Sequence, residues 1–252
     1  MPPTLPAIPP LLSSYLTLPA TQQQPPRLIL LTSVLGASTN WLLLRFLHSA
    51  LASPTPATNT KVIMLSFLRD RVFWVDGAKK LGLDLEKEAR WVFLDGLCGR
   101  DGVAGLKREL LGGLGKGEGR VLVVVDGVDW LVASAPPSSE AIVVQDILDD
   151  IFPSSASGDD GAATTILTLS SLPRPQTPET PLECAHTALL TTLAHRADYV
   201  MGLRLLETGV ARDCSGVLRV TVGGDGGVEE GEVVYWVGGG GEVRVWERGS
   251  RG

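Results

Sequence analysis

Cysteine is scarce in this chain. Cys98, Cys184 and Cys214 are the whole complement, an odd number with no CxxC pair, which excludes a disulfide scaffold and a zinc ribbon. Positive charge is in deficit as well: 22 Lys and Arg stand against 28 Asp and Glu, a formal charge of −6. Strong unaided binding to nucleic acid needs a basic footprint that this balance does not supply, although binding shared with other subunits stays open. Long apolar runs are missing too. The longest uncharged stretch after the start, residues 28–44, is broken by Thr32, Ser33, Gly36, Ser38, Thr39 and Asn40, whereas a spanning helix needs roughly 20 mostly apolar residues. The first 26 residues carry no charged side chain, but their prolines and lack of a basic start do not fit a signal peptide. The expected location is cytoplasmic, and also nuclear.

What is abundant points to a folded α/β chain. A hydrophobic content of 44% with 20% charge excludes a disordered polymer. The 29 Gly and 17 Pro cluster between apolar runs and follow no repeat, so they read as soft connections around a core. Continuous apolar segments at residues 27–32, 61–67, 91–94, 121–125 and 165–169 lack a polar alternate face, as parallel strands covered on both sides require. Helical spacing predicts helices over 40–51, 69–81, 105–114, 139–152 and 181–196. Strand followed by helix, repeated, implies a parallel sheet with helices on both faces. Short strands at 199–206, 217–222, 233–237 and 242–246, with Gly238 to Gly241 as a hairpin loop, imply an antiparallel meander at the end. The expected organisation is a flexible Pro/Gln-rich segment over 1–26 and a single domain over 27–252.

Ligands of open α/β sheets bind beyond the carboxyl ends of the strands. The first such end runs from Ser33 through Gly36, Ser38 and Thr39 to Asn40 and opens a helix, the context of a phosphate-binding P-loop. Laid on G-x-x-x-x-G-K-[ST], Ser33 and Ser38 replace the glycines, Thr39 the Lys and Asn40 the magnesium-binding hydroxyl. The absent Lys removes the charge that serves the transferred phosphate. The run ending in Asp126, with Asp129 beyond it, resembles a Walker B strand, yet Asp also ends strands as a turn former. Asp95, after the third strand, is a candidate by position only. The glycine-rich stretch 112–119 precedes a strand, so it reads as a turn, not a nucleotide loop. No GxGxxG or GxSxG is present. Cys184, His186 and His195 do not make a metal-ligand set. Arg69, Arg71, Lys79 and Lys80 are candidate contacts to RNA or a neighbouring subunit, against a default reading as a solvated face. Trp41, Trp74 and Trp91 sit in apolar patterns and read as core.

The stretch Leu31-Thr-Ser-Val-Leu-Gly-Ala-Ser-Thr-Asn-Trp-Leu-Leu-Leu-Arg-Phe-Leu47, then Ser66-Phe-Leu-Arg-Asp70 and Gly77-Ala-Lys-Lys-Leu-Gly-Leu83, resembles the Elongator complex protein 6 family, in a filamentous-fungal form. The likeness is specific over residues 27–131 and looser beyond. It implies a RecA-like three-layer sandwich without a working Walker A loop. It also implies a hetero-hexameric ring with Elongator proteins 4 and 5, docked on the Elongator catalytic subcomplex. Such a ring binds tRNA in support of wobble-uridine modification, and the chemistry lies in another subunit. The chain itself is then non-catalytic, with no cofactor or metal of its own and any ATP turnover belonging to the ring. The alternatives are an atypical ATP-hydrolysing ring subunit using Asp126 and the loop, and a recombination-type relative acting on DNA, which the negative charge disfavours.

Overall fold

The computed structural model of the chain describes residues 6–18, 27–52, 60–97, 105, 108, 112, 120–134, 163–171, 180–206, 213–223 and 228–250. Nine strands form one sheet in the order β3-β2-β4-β5-β1-β6-β7-β8-β9. They are β1 (Arg27–Ser33), β2 (Thr60–Ser66), β3 (Trp91–Asp95), β4 (Arg120–Asp126), β5 (Ala163–Ser170), β6 (Tyr199–Arg204), β7 (Gly216–Val222), β8 (Gly231–Val237) and β9 (Val243–Glu247). The six strands from β3 to β6 in that order run parallel, and β7 to β9 return as an antiparallel meander. Both the parallel core and the terminal meander match the expectation from sequence.

Each apolar strand feeds two cores, because successive side chains leave opposite faces of the sheet. Ile29 and Leu31, Val62 and Met64, and Leu122 and Val124 enter one core. Leu28 and Leu30, Ile63 and Leu65, and Val123 and Val125 enter the other. The first is covered by α2 (Asn40–Leu51) and α3 (Arg71–Lys79), which bury Trp41, Phe46, Leu47 and Trp74 there. The second is covered by α4 (Asp129–Ser134) and α5 (Pro181–Arg196) through Leu131, Val132, Leu189 and Leu193. The result is a three-layer sandwich.

Local chemistry sets the helix limits. The Asp70 carboxylate accepts the Phe73 amide at 2.9 Å, so α3 begins at Arg71, two residues later than the periodicity suggests. Thr180 and Glu183 form a reciprocal capping box at the start of α5. Phe73 stands at the surface, edge-on to the buried Trp74, which takes the core position expected of it. Of the helix expected over 105–114, Gly105, Arg108 and Gly112 are described and helical. The helix expected over 139–152 and most of the glycine-rich stretch 112–119 lie outside the described residues.

One departure concerns the lead-in, where residues 6–18 are not a free segment. A short turn (Pro10–Leu12) and α1 (Ser13–Leu16) lay Leu12 and Leu16 fully buried against the α2 side of the sheet. Polar contacts fix this strap. The Tyr15 hydroxyl donates to the Glu229 carbonyl at 3.0 Å, the Tyr199 hydroxyl to the Tyr15 carbonyl at 2.7 Å, and Ser49 Oγ to the Leu16 carbonyl at 2.8 Å. Proline and the lack of helical period hid this in the sequence, since the strap depends on distant partners. Among the described residues no helix is long and apolar enough to cross a membrane.

Candidate functional site

The P-loop-like segment connects β1 to α2 at the carboxyl edge of the sheet, as expected. Gly36 takes φ +93°, a left-handed conformation that favours glycine. Three of the loop's amides are already taken by acceptors of the protein itself. The Val34 N–H donates to the Leu203 carbonyl at 3.2 Å, Ala37 N–H to the Val34 carbonyl at 3.0 Å, and Asn40 N–H to Ser38 Oγ at 3.2 Å. The Ser33 carbonyl accepts the Ser171 amide at 2.8 Å. Thr39, at the position a phosphate-binding Lys would hold, is 7% exposed and buried at the start of α2. Leu35 projects from the loop at 94% exposure.

Asp126 is locked in place. The register of β2 against β4 sets Ser66 opposite Asp126 at the last rung. One carboxylate oxygen accepts Ser66 Oγ and the other Thr168 Oγ1, both at 2.8 Å, and the side chain is wholly buried. Thr168 Oγ1 also accepts the Gly127 amide at 2.7 Å, and Ser66 Oγ accepts the Arg69 amide at 3.0 Å. Burial pushes the Asp126 carboxyl up from its ordinary value, partly opposed by these two hydroxyl bonds. The arrangement latches the tips of β2, β4 and β5 together. Asp129 accepts the Ser170 amide at 3.2 Å, and Asp95 accepts that of Leu97 at 2.9 Å. Asp129 and Asp95 thus bind neighbouring backbone, and among the described residues no cluster of side chains is arranged to hold a metal ion.

The four basic candidates do not form one patch. Arg69 lies over the Phe73 ring at 5.3 Å, and Arg71 over Trp91 at 5.4 Å. Lys79 pairs with Glu86 at 2.9 Å. Lys80 turns toward the β8–β9 hairpin, with Nζ 3.4 Å from the Gly239 carbonyl. Cys184 is exposed on α5.

Gly36, Ser38, Asn40 and Lys80 do come together, along a cavity of about 420 Å³ between α2, α3 and the hairpin at 238–241. Its walls include Trp41 and Tyr235, whose rings lie 5.0 Å apart. Burial pushes the Tyr235 hydroxyl up to about 12. Sequence reasoning passed over Arg45, which lines the same space at 2% exposure. Its Nη2 donates to the Gly241 carbonyl at 2.7 Å and Nη1 to the Trp41 carbonyl at 3.5 Å, while Nε has no partner. Desolvation pushes its guanidinium down to about 10. A lone charge inside the apolar run 41–47 was the available signal.

Comparison with known proteins agrees with this architecture. No protein-family model matches the sequence, and no curated protein matches it. Among solved structures, a KaiC-like protein from the archaeon Pyrococcus horikoshii superposes with a TM-score of 0.61 at 14% identity, over 95% of this chain and 96% of that one. An uncharacterized protein from the same organism, solved in complex with an unknown peptide, gives 0.65 at 13% identity, over 98% and 100%. The fold is therefore a RecA-like α/β sandwich. At these identities the likeness defines the fold alone.

Proposed function

We propose that the chain is a non-catalytic, RecA-like subunit of the Elongator hetero-hexameric ring, beside Elongator proteins 4 and 5. In that role it supports tRNA binding by the assembled ring and wobble-uridine modification by the Elongator catalytic subcomplex, in the cytoplasm and also the nucleus. The observation that carries the non-catalytic part is the state of the nucleotide-loop equivalent. Thr39 is buried where a Lys would reach a phosphate, and Asp126 is bonded by two hydroxyls instead of facing a hydrated magnesium ion. The family resemblance over residues 27–131 supports the ring assignment.

A surface feature fits a subunit that meets neighbours at this edge. Leu35 follows β1, Leu68, Val72 and Phe73 follow β2, Leu97 follows β3 and Leu205 follows β6, and all are exposed. Apolar side chains grouped on one edge suit contact with another protein. Arg69 and Arg71 stand among them as contacts for a subunit or for RNA.

Co-expression with the two sister subunits tests the proposal. A single species with the mass of a hetero-hexamer by light scattering is the expected result, and a chain that stays monomeric beside them refutes it. ATP turnover by the assembled ring decides the catalytic question, and Asp126→Asn in this chain alone is expected to leave it unchanged.

A further inference from the structure

The cavity between α2, α3 and the β8–β9 hairpin has a chemistry that neither the loop nor the latch at Asp126 explains. Arg45 is a guanidinium with 2% exposure, and among the described residues no carboxylate pairs with it. Its two backbone contacts supply partial charges, not a counter-ion, and its Nε–H has no acceptor. Burying an unpaired charge is costly unless an opposite charge joins it. His48 feels this charge: its imidazole is pushed down by burial and then by Arg45 itself. The first turn of α2 and Lys80 add positive potential at the same cavity. Asp76 is the acidic group in the lining and lies exposed on α3.

Trp41, Leu44, Phe73 and Tyr235 supply the apolar and aromatic part of the wall, and Ser38, Asn40 and Ser215 supply neutral polar groups. A volume of about 420 Å³ is within the range of small-ligand pockets. We infer that this cavity binds a small organic anion, with a single carboxylate or phosphate head on Arg45 and a flat aromatic body against Trp41 and Tyr235. One buried guanidinium suits one anionic head, and a triphosphate would lack the lysine it needs at Thr39. The site stands or falls independently of ring membership.

Titration calorimetry on the full chain, at fixed ionic strength, tests this with three probes: phenyl phosphate, phenylacetate and inorganic phosphate. Saturable one-to-one binding of at least one aromatic anion, tighter than that of inorganic phosphate, is expected, and the two aromatic probes distinguish a phosphate head from a carboxylate. Arg45→Met should weaken binding about tenfold or more, the loss of a charge-assisted hydrogen bond. Two exposed substitutions decide the matter should that variant not fold. Lys80→Glu should weaken binding about threefold and Asp76→Asn should tighten it about twofold, as expected for charges near a partly exposed site. No binding of either aromatic probe to the native chain overturns the inference. So does affinity that is the same in the native chain and in all folded variants.

Discussion

A carboxylate that receives two hydroxyl bonds in a dry site is still less comfortable there than a neutral group of the same shape. Asp126 is that carboxylate, with its protonation favoured by burial. In the folded state its pKa is raised above the ordinary value of about 3.9, so the protein gains stability from Asp126 when the group is protonated. That contribution is fully present below the unfolded value and is lost as pH rises through the higher folded value. Asp126→Asn should remove this pH dependence. Urea unfolding across pH 4 to 8 is expected to show the native chain losing stability relative to the variant as pH increases. A constant difference would contradict this reading of the latch. Arg45 is the opposite case, a base held dry. Its pKa of about 10 keeps it charged at neutral pH, which is why its missing partner matters.

At the scale of elements, the capping box offers the cleanest test. Thr180 accepts the Glu183 amide at 3.2 Å, and Glu183 returns a bond from the Thr180 amide at 2.9 Å. Thr180→Ala should cost about 1 kcal/mol in denaturant unfolding, with no change in the slope against denaturant. α2 and α5 were legible from helical spacing, and both helices span the expected residues. The parallel strands were legible because both faces are buried, so their apolar runs are continuous. The Ser33–Asn40 loop was recognisable by position and spacing. What it does with its amides was not, because those bonds go to Leu203 and to residues within the loop itself. Arg45 escaped for a similar reason: its environment is built by Tyr235 and Gly241, about two hundred positions away in sequence.

For the molecule as a whole, the sign of its charge sets a boundary on what it does alone. Several basic side chains are already neutralised at the surface. Lys79 pairs with Glu86, Lys87 with Asp84, Arg90 with Glu88, and Arg204 and Arg248 with Glu232. With 22 Lys and Arg against 28 Asp and Glu, the chain carries no net positive charge to hold a phosphate backbone. The isolated chain should therefore bind tRNA weakly, with little dependence on salt. The assembled ring should bind more tightly and show a steep fall of log K against log salt. Filter binding at several salt concentrations separates the two, and a steep slope for the isolated chain would contradict the pooled-contact view.

The strap at residues 6–18 bears on how the molecule is made. Its partners at Tyr199 and Glu229 are 184 and 214 positions away, so the strap leaves the ribosome well before the residues that hold it. Closing such long loops is expected late on a folding route, after formation of the parallel sheet. Leu16→Ala, which empties a fully buried site, should cost about 3 kcal/mol. In stopped-flow experiments that loss is expected almost entirely as faster unfolding with the refolding rate nearly unchanged. The strap thus acts as a final clasp, and the lifetime of the finished protein depends on a segment that contributes little to the speed of its folding.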